Sequence, residues 1–153
     1  WRHFSRGAPT LPTMFILIVG AGRVGSAVAK RALDAGHDVS VLDSDPLSHE
    51  RLDKDQSISW EDAGGRFTVG AALEVDGLIA AGIAEADVFM AATRGDNTNL
   101  VIAQLAQRRF NVPRVVVRVA DPARAAWYGE QGLLTICPTQ HAIDQAEGVV
   151  LGA

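Results

Sequence analysis

The sequence predicts an α/β domain of the Rossmann type, a doubly wound, six-stranded parallel sheet in a three-layer α/β/α arrangement. Two observations carry this prediction: short aliphatic runs alternate with longer segments of helical spacing, and a glycine-rich turn follows the first run. Size agrees with it, because 153 residues with 48% apolar content are enough for one domain around a continuous core.

Six short runs of aliphatic or β-branched residues are the predicted strands. The first run is apolar at every position, as expected of a strand that helices cover on both faces. Residues 56–65, before the third run, contain serines and glycines and predict an irregular connection. In chain order we expect strands at residues 14–19, 39–42, 66–69, 88–92, 114–119 and 133–137.

Each predicted strand is followed by a predicted helix with a start or stop signal. The first helix places Val28 on its buried side and stops at Gly36, and Asp96 can cap the fourth by accepting backbone N–H bonds. Proline in a first turn favours three of the other helix starts. After the first helix we expect helices over 46–55, 74–81, 96–109, 122–130 and 138–151.

The chain contains no internal repeat and no sign of a second domain. Residues 1–13 hold two prolines and show no periodicity, so we expect a disordered or artificially added leader there. A native extension that docks on the domain is the alternative. Residues 14–153 then form the Rossmann domain.

Composition argues against several function classes. The 14 Lys and Arg residues are outnumbered by 18 Asp and Glu and do not gather into a stripe, so nucleic-acid binding is disfavoured. Apolar runs fall far short of the ~20 residues of a membrane-spanning helix, so any membrane association goes through a partner. Cys137 is the single cysteine, and no Cys/His cluster has metal-ligand spacing, so we expect a reducing cytosol and no metal site.

A GxGxxG motif lies between the first strand and the first helix. Gly20 permits a tight turn, Gly22 lets a diphosphate approach the backbone, and Gly25 lets helix and strand pack closely. The free amides and positive end of the helix then form an anion site, unless the glycines serve packing alone. The predicted ligands in this loop are Gly20, Ala21, Gly22, Arg23, Val24 and Gly25.

Asp43 ends the second strand, close to the ~20-residue spacing at which a carboxylate accepts the ribose hydroxyls in nucleotide-binding folds. The same carboxylate would repel a 2′-phosphate, so NAD, NADH, ADP or ATP is favoured and NADP is disfavoured. Asp45 could take this role instead, with Asp43 as an ordinary turn residue.

Two arginines are candidate phosphate ligands. Arg23 lies inside the loop, where its guanidinium could reach phosphate oxygens, or it is a solvated first-turn side chain. Arg118 interrupts an apolar run at the carboxyl end of the fifth strand, the sheet edge at which ligands bind. A structural ion pair of Arg118 with Asp121 or Asp96 is the alternative to a phosphate contact.

Three segments of the chain together resemble the RCK/KTN, or Trk-type, family of potassium-uptake regulators. They are IVGAGRVGSAVAKRALDAGHDVSVLDSDP, AGIAEADVFMAATRGDNTNLVIAQLAQ and NVPRVVVRVADPARAAWYGEQGLLTICPT, and they cover nearly the whole chain from Met14. The resemblance implies a cytoplasmic domain that binds NAD(H) or ATP/ADP. It also implies a peripheral position at a potassium channel or transporter membrane subunit, and assembly as a homodimer or a larger ring.

The resemblance also assigns residues. Thr93 would border the ligand and Asn99 would support the loop, with helix capping as the alternative for both. The positions that match the family's nucleotide positions are Gly20, Gly22, Arg23, Val24, Gly25 and Asp43. We add Ser44, Ala71 and Ala72 to the predicted site. The family typically shows Gly-Asp-Ala-Thr after the third strand, whereas residues 70–73 are GAAL, so a carboxylate near the adenine edge is missing.

Regulation by a bound nucleotide is the predicted function, in which the ligand shifts the populations of two inter-subunit arrangements. The last helix is the predicted interface between subunits. An NAD-dependent oxidoreductase fragment is one alternative, but none of the four histidines is followed by a recognisable acid partner, so we expect no catalytic residue and no enzyme. A structural module with an empty crevice is the other.

Overall fold

The computed structural model describes residues 12–152 and has the parallel sheet that the sequence predicts. All but the last two positions of the predicted leader, residues 1–13, lie outside the described residues. The observed strands agree with the predicted ones to within two residues at each end. They are β1 Phe15–Val19, β2 Asp38–Asp43, β3 Arg66–Val69, β4 Val88–Ala91, β5 Arg114–Arg118 and β6 Leu134–Ile136.

Within residues 12–152, six α-helices alternate with the strands. The predicted helix over 46–55 is wrong in its first part, because Pro46–Ser48 form a 3-10 turn that Asp45 caps by accepting the N–H of Leu47 at 3.0 Å. Only a five-residue α-helix follows it. The helices are α1 Arg23–Asp34, α2 His49–Asp53, α3 Val75–Ala81, α4 Asp96–Arg108, α5 Pro122–Glu130 and α6 Pro138–Leu151.

The sheet has the strand order β3-β2-β1-β4-β5-β6, and every pair is parallel. The chain builds outward from β1 in one direction and then returns to add β4 on its other side. Val19 at the carboxyl end of β1 is therefore paired with both Leu42 and Ala91. Such a switch of direction leaves a crevice at the carboxyl ends of the strands, where ligands bind in open α/β sheets.

The core has two layers, one on each face of the sheet. In β1, Leu17 and Val19 pack with residues of α3, α4 and α5, whereas Ile16 and Ile18 pack with residues of α1 and α2. Val28, predicted to face the core, is 40% exposed. The fully buried residues of α1 are the small Gly25, Ser26 and Ala29, while Val24 and Leu33 are partly buried and pack against the core.

The connection after α2 is irregular, as predicted, but it is firmly attached to the domain. Trp60 lies in this connection and is only 2% exposed, and its indole N–H donates to the carbonyl of Arg66 at 3.0 Å. The backbone N–H of Trp60 donates to Asp53 Oδ1 at 2.8 Å. The backbone and the side chain of Trp60 together therefore connect the end of α2 to the start of β3.

The sheet edge at β6 and the helix after it carry exposed apolar side chains. None of the residues of α6 is buried, and Ile143, Val149, Val150 and Leu151 of this helix are all at least 40% exposed. Leu134 and Ile136 of β6 are 54% and 42% exposed. Within residues 12–152, no helix is both long and apolar enough to span a lipid bilayer.

Candidate functional site

The turn after β1 can be built only with glycine at two positions. Gly20 has φ of 106°, and a Cβ there would come within 2.6 Å of the backbone carbonyl group of Ala92. A Cβ on Gly25 would collide with the carbonyl oxygen of Gly20. Gly22 differs from both, since a Cβ there would meet nothing within 4 Å. The space beside Gly22 is therefore open to a ligand.

Helix α1 begins directly at this turn and leaves its first amides free. Gly22 is its N-cap residue, no side chain caps it, and its first turn contains no acidic residue. The first four N–H groups of an α-helix have no partner within the helix. Together with the positive end of the helix dipole, they form an anion site of the kind that binds phosphate groups.

Asp43 connects the end of β2 to the glycine turn. Its Oδ2 accepts the N–H of Ala21 at 2.7 Å, and its Oδ1 accepts the N–H of Asp45 at 2.8 Å. A carboxylate offers about four lone-pair sites, so these two bonds leave capacity for two hydroxyl donors. Asp45 is engaged differently, as the cap of the 3-10 turn. Asp43 is thus the carboxylate that is fixed against the loop.

A cavity of about 390 Å³ lies over the turn, at the carboxyl ends of the strands next to the switch point. Six of the predicted site residues line it, and six do not. Ala21 and Gly25 lie buried behind the loop, and Arg23 is exposed on its outside. The lining residues are Gly20, Gly22, Asp43, Ser44, Ala72 and Thr93, whereas Ala21, Arg23, Val24, Gly25, Ala71 and Arg118 lie outside the lining.

Asn99 fixes the position of Thr93, which lines this cavity. Its side chain is fully buried, and its Oδ1 accepts both the N–H of Thr93 at 2.9 Å and its hydroxyl at 2.6 Å. Its Nδ2 donates at 2.9 Å to the carbonyls of Thr93 and Arg118. Gly95 is the N-cap residue of α4 and no side chain caps that helix, so Asn99 supports the loop and the capping alternative is wrong.

Arg118, at the end of β5, lies outside the cavity lining and contacts the lining residue Thr93. Its Nη1 donates to the carbonyl of Thr93 at 2.9 Å. Among the described residues it forms no ion pair with Asp121 or Asp96, so that alternative is wrong. Its proposed contact with a phosphate stays a prediction.

Asp96 was expected to cap its own helix, and this is also wrong. Its carboxylate instead accepts the N–H groups of Ala120 at 2.8 Å and Asp121 at 3.2 Å, in the turn before α5. Arg124 lies 3.9 Å from the same carboxylate. The pKa of Arg124 is raised above its ordinary value, first by its hydrogen bond to the Tyr128 hydroxyl, so this guanidinium stays charged.

Sequence reasoning missed two cationic residues in the cavity wall, Arg51 and Arg94. Arg94 directly follows Thr93, so its position in a strand-to-helix turn was a usable signal. Arg51 lies in α2, and its Nη1 donates to the carbonyl of Ala21 at 3.3 Å. Nothing in the sequence distinguishes Arg51 from an ordinary arginine on a solvated helix face.

His49 is a further departure from the sequence analysis, which found no acid partner for any histidine. Its Nδ1 lies 3.1 Å from Asp53 Oδ2, and its Nε2 contacts Glu61 Oε1. Glu61 comes from the irregular connection, so spacing along the chain could not reveal it. Potential metal-ligand atoms of these three side chains lie within 4.8 Å of one another. The sequence predicted no metal site and did not reveal this cluster.

The strand order, the glycine turn and the crevice define the class of Rossmann-type domains. Within that class the chain belongs to the TrkA-N domain family, whose model matches residues 16–137.

Relatives of this chain support the assignment. It is 40% identical over 132 residues to the Trk system potassium uptake protein TrkA of Streptomyces coelicolor, a match that covers 86% of this chain and 56% of that protein. The chain therefore spans about half the length of that curated relative.

Two solved structures share the fold. The carboxyl-terminal domain of Kef from Shewanella denitrificans, in an AMP-bound form, has a TM-score of 0.72 and 24% identity, covering 90% of this chain and 80% of that one. The GsuK RCK domain has a TM-score of 0.69 and 19% identity, covering 89% of this chain and 28% of that one. The family model and the Streptomyces coelicolor relative confirm the resemblance to the RCK/KTN, or Trk-type, family.

Proposed function

We propose that this domain binds an adenine nucleotide, NAD(H) or ATP/ADP, and that the nucleotide regulates potassium transport by a membrane partner. The observation that carries the proposal is one cavity that joins two complementary features. The amino end of α1, which no side chain caps, suits a diphosphate, and the Asp43 carboxylate in the same cavity suits the hydroxyls of a ribose.

The diphosphate lies against Gly22 in this proposal. Backbone amides of residues 22–24 donate to its oxygens, and the absence of a Cβ lets those oxygens approach closely. Arg23 and Arg94 flank the turn and supply additional positive charge. The ligand in the AMP-bound Kef domain is itself an adenine nucleotide, which favours this class of ligand.

The ribose is held by Asp43, beside which Ser44 lines the cavity. Because Asp43 already accepts the N–H of Ala21, a bound ribose and the phosphate loop are connected through a single carboxylate. A 2′-phosphate would be repelled there, so we expect NADP and NADPH to bind worse than NAD and NADH. The adenine then lies toward Gly70 and Ala72 at the end of β3.

The regulatory role is supported by the TrkA relative, which is named as part of a potassium uptake system. Nucleotide binding in such a domain acts when it favours one of two arrangements of the assembly, so no reaction of the ligand is needed. We propose a cytoplasmic, peripheral location at a potassium channel or transporter membrane subunit. In that location the chain assembles as a homodimer or a larger ring, and it is not an enzyme.

A thermal-shift panel of NAD, NADH, ADP, ATP and NADPH tests ligand binding on the purified chain. A ligand that prefers the folded state raises the melting temperature by mass action. We expect a concentration-dependent rise with at least one of the first four ligands and a smaller rise with NADPH. If none of the five changes the melting temperature, the alternative of a structural module with an empty crevice is favoured. Turnover of a nicotinamide cofactor would favour the oxidoreductase alternative.

A further inference from the structure

Arg51 is a cation at the rim of the cavity whose hydrogen-bonding capacity is largely unused. The side chain is exposed. Within the described chain it donates one hydrogen bond, to the carbonyl of Ala21, and this bond is long at 3.3 Å. Within the described chain it forms no ion pair, although Asp43 and Asp45 line the same cavity. A guanidinium has five N–H donors, so most of them face the cavity or solvent.

Arg51 lies on the element that borders the base side of the proposed site, and its guanidinium reaches from there to the carbonyl of Ala21 in the glycine turn. Diphosphate binding at α1 and ribose binding at Asp43 define a direction across the sheet edge, from β1 toward β2 and β3. Arg51 belongs to the connection between β2 and β3, and Ala72 lines the cavity just after β3. A base beyond the ribose therefore lies in the part of the cavity that these two residues border.

The helix that carries Arg51 is short, but its neighbours fix it. Leu52 is completely buried in the core on the α1 side of the sheet. Asp53 accepts the N–H of Trp60, and His49 lies between Asp53 and Glu61. The backbone of Arg51 is thus held in place, while its side chain can exchange the weak bond to Ala21 for a ligand contact.

We propose that Arg51 holds the base of the nucleotide by stacking its planar guanidinium on the face of the adenine, with Ala72 bordering the opposite side. This inference rests on the proposed nucleotide site and identifies what holds the base. Arginine is suited to it, because its delocalised plane stacks on aromatic rings and also carries the charge that a polyanionic ligand attracts. Recognition by stacking agrees with residues 71 and 72, which are alanines and offer no side-chain hydrogen bond to the base edge.

Three variants at this exposed position separate stacking from a simple charge contact. Arg51→Ala removes both the plane and the charge, Arg51→Lys keeps only the charge, and Arg51→Phe keeps only a plane. Arg31→Ala, at an exposed position on α1, is the matched control for loss of one surface arginine. Affinity for ADP is measured by titration calorimetry, with the melting temperature of each variant as the check on folding.

We expect Arg51→Ala and Arg51→Lys to weaken ADP binding about tenfold, and Arg51→Phe and Arg31→Ala to stay within about threefold of the unmodified chain. Full affinity in Arg51→Lys with a loss in Arg51→Phe would overturn stacking in favour of a phosphate or charge contact. Equal affinity in all variants would remove Arg51 from the site while leaving the proposed function intact. Failure of the unmodified chain to bind any adenine nucleotide would instead remove the proposed function itself, and this inference with it.

Discussion

At the glycine turn the three glycines of the motif differ in what surrounds their α-carbons. Gly20 and Gly25 are enclosed by backbone atoms of the domain, whereas Gly22 faces open space. Conformation and packing explain the first two glycines without a ligand. At Gly22 neither the backbone conformation nor packing excludes a side chain, which makes it the most informative of the three glycines for the proposed ligand site.

Gly22→Ala is therefore predicted to separate binding from folding. Its φ of −74° suits alanine, so we expect the free energy of unfolding to change by no more than about 0.5 kcal/mol. The added methyl group occupies the space proposed for the diphosphate, and ADP affinity should fall at least tenfold in calorimetry. Gly25→Ala is the contrasting variant and should destabilise the fold strongly. A Gly22→Ala protein that binds ADP normally would place the phosphates elsewhere.

Asp43→Ala is predicted to weaken adenosine-containing ligands by about 1 to 3 kcal/mol, because it removes charge-assisted bonds to the ribose and the anchor of Ala21. Asp38→Ala is its control, since Asp38 is exposed at the amino-terminal end of the same strand, whereas Asp43 lies at the carboxyl end. Calorimetric titration of both variants with NADH and ADP makes the comparison. Unchanged affinity in Asp43→Ala would discard its role as the ribose ligand.

At the scale of single elements, the turn between β4 and α4 depends on one buried amide. Asn99→Ala would leave the N–H of Thr93 and the carbonyl of Arg118 without their partner, and each such buried group costs about 1 to 3 kcal/mol. We expect chemical denaturation to show a loss of roughly 3 kcal/mol in the free energy of unfolding. Asn97→Ala, at an exposed position two residues earlier on the same helix, should lose less than about 1 kcal/mol. Equal losses in the two variants would contradict the role of Asn99 in stabilising the turn between β4 and α4.

The connection between α2 and β3 depends in the same way on Trp60. Trp60→Ala leaves a large cavity and frees the carbonyl of Arg66, so we expect a destabilisation of about 3 to 5 kcal/mol. Trp127→Ala is the control, because Trp127 is 56% exposed and its loss should cost little. A mild effect of Trp60→Ala in denaturant unfolding would show that this connection is held by other contacts.

The elements themselves were largely predictable from the sequence, because alternating β-strands and helices leave strong periodic signals. Asp43 and the glycine turn were predictable for the same reason, since both follow directly from a strand. Contacts between segments distant in the chain were not. The carboxylate of Asp96 caps a turn that begins 24 residues later, and Glu61 meets His49 from an irregular connection. Arg51 reaches the cavity only because a short helix folds back over Ala21.

At the scale of the whole molecule, α6 and the edge strand β6 present an apolar surface that the described chain does not cover. This surface includes Ile136 and Ile143, both at least 40% exposed. Burial of such a patch against a second copy is a common route to a symmetric dimer. The interface predicted from the sequence remains a proposal that this surface supports.

The double variant Ile136→Lys and Ile143→Lys tests that assembly. Two charges in a shared apolar interface are costly to bury, so we expect the variant to be monomeric in analytical ultracentrifugation where the unmodified chain is dimeric or larger. Its melting temperature at low protein concentration should stay close to that of the unmodified monomer. Unchanged assembly of the variant would place the interface on another face.

The central claim is that the first amides of α1 bind the diphosphate of an adenine nucleotide, and nuclear magnetic resonance observes those amides directly. In a titration of the ¹⁵N-labelled chain with ADP, we predict saturable shifts of the amide signals of Gly22, Arg23 and Val24, with those of Ala21 and Asp45 following through Asp43. Signals of Asp38 and Arg114, at the amino-terminal ends of β2 and β5, should stay in place. Saturable binding that leaves the Gly22, Arg23 and Val24 signals unmoved would contradict the account.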